Sequence, residues 1–181
     1  MSARLQSAME LPRPLRVFVD ANLLIRGITF PRYPYEVLRL AAQHKITLVI
    51  SPSVLADARH YLSVLFPEHL PKLDALLAAA MVEIVDDPTR EEVSANRNLV
   101  RDIEDVPVVL AAAKARVDYL VSTDTDLTDL NASTEALRHL LDPGEIVRVG
   151  TFLNQVMGWS HEDLSSIGRR RWDDVNGETW A

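Results

Sequence analysis

The sequence predicts an α/β protein with a mainly parallel central sheet flanked by helices. Three observations carry that expectation. Short apolar runs of strand length alternate along the chain with segments of helical period. Some of those runs are apolar without interruption, as strands covered on both faces are. Acids stand at or just beyond their ends, where open α/β sheets hold their ligands. The 181 residues suffice for one domain with a sizeable core.

Each element has its own signal. Residues 16–20, Arg-Val-Phe-Val-Asp, read as a strand ending in a carboxylate. Residues 34–44 carry Val37, Leu38, Leu40 and Ala41 at helical spacing. Residues 47–50, Thr-Leu-Val-Ile, form a second strand. Ser51 then caps a helix with Pro52 at its first position, running to about Leu65 before Pro67. Another helix follows through Leu76, Leu77 and Met81. Residues 82–85 are a short strand, and Asp87-Pro88 predicts a cap and first-turn proline for a helix over 89–100. A helix over 106–116, a strand over 118–121 and a polar loop over 122–129 come next. A helix near 134–141 stops before the turn signal Pro143-Gly144. A strand over 146–149 closes the series, and Thr151 predicts a cap for a last helix over 152–157. Residues 1–14 read as an N-terminal extension and 15–157 as the folded domain. Beyond Gly158 the period stops, so residues 158–181 read as an appendage that Trp172 and Trp180 can dock on something.

Composition excludes several classes. With 48% hydrophobic and 25% charged residues the chain is not disordered throughout. It has no cysteine, hence no disulfide, thiolate metal site or cysteine nucleophile, which fits a reducing cytoplasm. The longest clean apolar stretch, residues 75–82, falls far short of the about 18 residues that span a membrane. Residues 1–16 lack the continuous apolar core of a secretory signal. The 26 acids against 19 Lys and Arg give a net charge of −7, which disfavours broad electrostatic capture of nucleic acid. A nuclease whose acids hold cations stays open.

Four acids sit where ligands bind. Asp20 ends the first strand, Asp57 lies one and a half turns into the helix after the second, Asp105 opens the helix before the fourth, and Asp124 follows the fourth. Carboxylates gathered at one edge repel one another, and divalent cations relieve this. Hard oxygen donors suit Mg²⁺ or Mn²⁺ rather than Zn²⁺, and the five histidines show no zinc-binding spacing. One or two such ions on a carboxylate cluster serve phosphodiester hydrolysis. The alternative for each acid is local: Asp20 as a cap for a helix from Ala21 onward, Asp105 as a cap of the following helix, Asp57 as a solvent-facing acid.

Order and context add to the spacing. The run Val17-Phe18-Val19-Asp20-Ala21-Asn22-Leu23-Leu24, the helix start Ser51-Pro52-Ser53-Val54-Leu55-Ala56-Asp57, the Ala-rich helix opened by Asp105, and the strand and loop Asp118-Tyr119-Leu120-Val121-Ser122-Thr123-Asp124-Thr125-Asp126-Leu127 together resemble the PIN-domain family. The ending Ile146-Val147-Arg148-Val149-Gly150-Thr151-Phe152-Leu153 is similar to that family's last strand and short helix. The resemblance covers about residues 15–157. It implies a PIN-like fold and an Mg²⁺- or Mn²⁺-dependent ribonuclease. Asp20, Asp57, Asp105 and Asp124 would then be catalytic metal ligands, with Asn22, Ser122 and Asp126 supporting them. It further implies an RNA substrate, a homodimer and, in the toxin group it looks most like, an antitoxin partner. Asp57 departs from the family's more frequent Glu, and Ala21 from its Thr or Ser. These departures motivate the alternative of a catalytically weak or inactive PIN-like module that binds RNA or a protein. The basic run Arg169-Arg170-Arg171 beside Trp172 is read as a solvated or partner-binding tail, because Glu162, Asp163, Asp173 and Asp174 flank it.

Overall fold

A computed structural model describes residues 13–129, 132–175 and 179–180. Residues 1–12 of the expected extension and residues 176–178 and 181 of the expected appendage lie outside the described residues.

The strands are β1 (Leu15–Val19), β2 (Ile46–Ile50), β3 (Val82–Ile84), β4 (Tyr119–Ser122) and β5 (Glu145–Arg148). All pair in parallel, in the order β3-β2-β1-β4-β5. The central strand β1 aligns Phe18 with Val49 on one side and Leu120 on the other. Val17, Phe18 and Val19 are fully buried, as a strand covered on both faces requires. Helices α1 (Ala21–Thr29), α2 (Tyr33–Ala42), α3 (Pro52–Leu65) and α4 (Leu70–Ala79) link the first three strands. Helices α5 (Arg90–Ala95), α6 (Val106–Ala115), the single turn α7 (Thr125–Thr128) and α8 (Ala132–Leu141) link the rest. Right-handed crossovers place α1 to α4 on one face of the sheet and α6 and α8 on the other. The strand order reverses between β1 and β4, so their carboxyl ends open a crevice.

The predicted elements exist with shifted bounds, and three local expectations are corrected. Asp87 does not cap the helix that follows it. Thr89 does: its hydroxyl accepts the Glu92 N–H at 3.1 Å, and the Glu92 carboxylate accepts the Thr89 N–H at 2.7 Å. Asp87 is occupied elsewhere, accepting from the backbone N–H of Ser53 at 3.1 Å and from its hydroxyl at 2.5 Å. That helix stops at Ala95 rather than 100, where the Asn96 side chain donates to the Glu92 carbonyl at 2.8 Å. Thr151 is no cap either. A helical turn, α9 (Val149–Thr151), begins after Arg148 and widens into a π-helical turn over Phe152–Val156, with Phe152 and Leu153 fully buried.

The two ends of the sheet differ. At the amino end, Arg16 binds Glu83 through two hydrogen bonds of 2.8 and 2.6 Å and donates to the Ala115 carbonyl at 2.7 Å. Arg13 binds Asp118 at 2.7 and 2.9 Å, and Asp118 also accepts the Arg16 backbone N–H at 2.7 Å.

After Gly158 the chain forms α10 (His161–Ile167) and returns along α1 and α2. The Trp172 indole N–H donates to the Thr29 carbonyl at 2.8 Å, and its ring meets Tyr35 edge-on at 5.4 Å. Trp180 stands 5.3 Å from Tyr35 and donates to the Lys72 carbonyl at 3.0 Å. Arg170 donates to the Pro31 carbonyl at 2.6 Å and pairs with Glu36, which is 1% exposed. Arg39 adds a second cation 3.0 Å from Glu36. A carboxylate that deep is tolerable only when paired.

Candidate active site

Asp20 stands at the end of β1 and opens α1. Its Oδ1 accepts the Leu23 N–H at 2.7 Å, which caps the helix. Its Oδ2 accepts the Ser122 hydroxyl at 2.7 Å. Cap and site are therefore compatible, one oxygen serving each. The residue is 7% exposed, and burial is the main cause pushing its carboxyl above the ordinary range. The Leu23 N–H and Ser122 hydroxyl oppose that rise; the nearby Asp124 charge adds to it, and Arg26 weakly opposes it.

Ser122, fully buried at the end of β4, links two of the acids. Its hydroxyl donates to Asp20 and accepts the Asp124 N–H at 2.9 Å. Asp124 in turn caps α7, its Oδ1 accepting the Asp126 N–H at 2.8 Å. Adjacent strands β1 and β4 thus fix Asp20 and Asp124 beside each other across the switch point.

Asp105 arrives from the other crossover. It occupies the cap position of α6, yet its side chain makes no cap bond. Asp102 does the local work instead, accepting the Glu104 N–H at 3.0 Å in the 3₁₀ turn Ile103–Asp105. The Asp105 carboxylate is left to the crevice, with Oδ2 buried and without a hydrogen-bond partner among the described residues. Its pKa is pushed up to about 7, first by burial and then by the Asp124 charge. Asp102 and Asp20 add smaller repulsions. Asp102 is the contributor that spacing overlooked. Its signal was the crowding of Asp102, Glu104 and Asp105 in one short segment.

The remaining expected residues stand further out. Asp57 is exposed on α3 and is not among the charges acting on Asp20 or Asp105. Arg59, about 200° around the helix from it, pairs with Asp74 of α4 at 2.7 Å, so Asp57 faces away from α4. Asn22 is exposed on the first turn of α1, and Asp126 is exposed with the Arg101 guanidinium 3.9 Å away.

The donor set bears on a metal. It is all carboxylate and hydroxyl, with one orphaned buried oxygen and no cysteine, which fits a hard divalent cation. Among the described residues no three acids or histidines converge closely enough to hold an ion as they stand. Three acids that repel one another without a cation fit both facts. Asp20, Asp105 and Asp124 would hold the cation.

A family model described as PIN domain matches residues 16–126, well over half of the chain and all four expected acids. Among solved structures the chain is similar to PAE2754 from Pyrobaculum aerophilum, at 16% identity and a TM-score of 0.50, over 80% of this chain and 97% of that one. At that identity the likeness is one of fold. No curated protein matches the chain. Among the described residues no helix is long and apolar enough to cross a membrane.

Proposed function

The chain belongs to the PIN-domain family, and from that premise we propose that it is an Mg²⁺- or Mn²⁺-dependent endoribonuclease, the toxin of a toxin–antitoxin pair. PIN domains are nucleases in general, which accounts for hydrolysis of a phosphodiester at the coarse level. The observation that supports a divalent cation is Asp105: a carboxylate raised to about 7, with a buried orphan oxygen, within the field of Asp124 and Asp20. A fold does not gather acids without cations for stability, so their use lies in what they bind.

A divalent cation held by Asp20, Asp105 and Asp124 would supply hydroxide at neutral pH and offset charge on the phosphate and leaving oxygen. The chain's own residues do the rest. Ser122 orients Asp20 and Asp124 together through its one hydroxyl. Asp105 would present its orphaned Oδ2 to what enters the crevice. The α1 cap holds Asp20 in one orientation. Asp57 joins as a fourth, outer acid. Residues 15–157 form the nuclease unit in this reading, and Arg170, Trp172 and Trp180 of the appendage brace it. A homodimer, an antitoxin and a cytoplasmic location follow from the family's toxin group.

The test is cleavage of pooled tRNA and mixed-sequence RNA in Mn²⁺, Mg²⁺ and EDTA. Cleavage leaving 5′-phosphates, lost in EDTA and in Asp20→Asn and Asp124→Asn, is the expected result. Cleavage retained in both variants overturns the site. A second reading, a PIN-like module that binds without cutting, draws on the exposed Asp57. It requires folded wild type to cleave nothing with any divalent ion, and binding indifferent to Asp124→Asn.

A further inference from the structure

An acidic crevice repels the phosphate it is meant to receive, so positive charge at its mouth must seat the strand. Arg101 is placed for this. Its guanidinium is 84% exposed and 3.9 Å from Asp126, two residues from Asp124. A pair that long and that exposed holds the side chain weakly, leaving it free to turn to a better anion. Two residues on, Ile103 opens the turn Ile103–Asp105 that delivers Asp105, and it is 55% exposed. An apolar side chain left in water beside a nucleic-acid site gains by lying under the flat face of a base. Asp102, between them, fixes the turn by accepting the Glu104 N–H.

We propose that Arg101 and Ile103 seat one nucleotide of the RNA at the carboxylate edge, Arg101 on its phosphate and Ile103 against its base; this rests on the nuclease reading above. Both are positioning residues. They act on where the strand lies and leave the proton chemistry to the acids.

The test is fluorescence anisotropy with a labelled mixed-sequence 12-nucleotide single-stranded RNA, in the full chain carrying Asp124→Asn so that the probe survives. Arg101→Gln should weaken binding about tenfold and flatten the slope of log affinity against log salt by roughly 0.7, the loss of one phosphate contact on a single strand. Ile103→Ala should weaken binding about threefold with the slope unchanged, while Ile103→Trp should tighten it about fivefold by stacking. Arg169→Gln is the control. It removes an exposed cation at the far end of α1, where Arg170 and Trp172 meet Pro31 and Thr29. In cleavage by otherwise wild-type protein, Arg101→Gln should raise KM with kcat little changed. An unchanged salt slope for Arg101→Gln, or no gain from Ile103→Trp, overturns the proposal even where the wild type cleaves. Absence of both binding and cleavage in the wild type overturns it together with the reading it rests on.

Discussion

Asp118 precedes β4 and Asp124 follows it, and the same strand leads from a carboxylate paired with a cation to one set among other acids. Asp118 receives two hydrogen bonds from Arg13 and one from the Arg16 backbone, which hold its carboxyl below the usual range. Glu83, on the edge strand β3, is held low by Arg16, which reaches it from the amino end of β1. At the carboxyl end the signs reverse: burial and mutual repulsion push Asp20 and Asp105 up. The amino end uses its charges to lock strands together. The carboxyl end keeps charges that repel one another and so weaken the fold.

The widest separation between the two ends should appear in activity. Asp20→Asn or Asp124→Asn should lower RNA cleavage on the order of 10³-fold, comparable to losing a central electrostatic stabiliser, with the protein still folded. A loss under tenfold breaks the comparison at its functional end. Asp118→Ala should do the reverse. By stranding Arg13 and freeing the Arg16 N–H it should cost about 2 kcal/mol in urea unfolding, while cleavage per folded molecule stays as it was. Next comes the metal. Mn²⁺ at ten times its dissociation constant should stabilise the wild type by about 1.4 kcal/mol, a rise of a few degrees in Tm, and Asp20→Asn should abolish that rise. A shift that survives in Asp20→Asn would place the ion elsewhere.

The smallest effect is also the one with the sharpest sign. Asp105 has its pKa raised from 3.8 to about 7, so its contribution to stability is fully present below pH 3.8 and lost as pH rises through 7. Asp118 and Glu83 have lowered values, so theirs is present at neutral pH and lost in acid. Asp105→Asn should therefore stabilise the metal-free protein at neutral pH by about 1 kcal/mol, a figure discounted because the group is half in water. It should also flatten the decline between pH 4 and 7. If that decline persists unchanged in Asp105→Asn, another group carries it.

Much of this was legible in the sequence because it is local or periodic. Continuous apolar runs announced buried strands, and Ser51-Pro52 announced α3, whose hydroxyl cap accepts the Val54 N–H. That Asp20 and Asp124 lie near each other was legible because strand ends in a parallel sheet converge at a known edge. Other features depended on competition between neighbours. Asp87-Pro88 and Thr89 offered two caps for one helix, and the Glu three residues after Thr89 decided it, while Asp87 was claimed by Ser53. The orphaned oxygen of Asp105 was not legible, because whether an acid caps a helix or stays free depends on what Asp102 does next to it. The pairing of Arg170 with Glu36 joins positions far apart in the chain, and neither residue's local context announces it.

The hydrogen bond from Ser122 to Asp20 spans 102 positions of sequence. During synthesis Asp20 is the first of the four acids to emerge, and until β4 is made its Oδ2 lacks the Ser122 hydroxyl. β1, β2 and β3 can assemble on the ribosome, but β4 must enter beside β1 before Ser122 and Asp124 arrive. A nascent or prematurely terminated chain that stops at α5 carries Asp20 and Asp57 alone. The carboxylate edge therefore closes only once the chain has been read through β4.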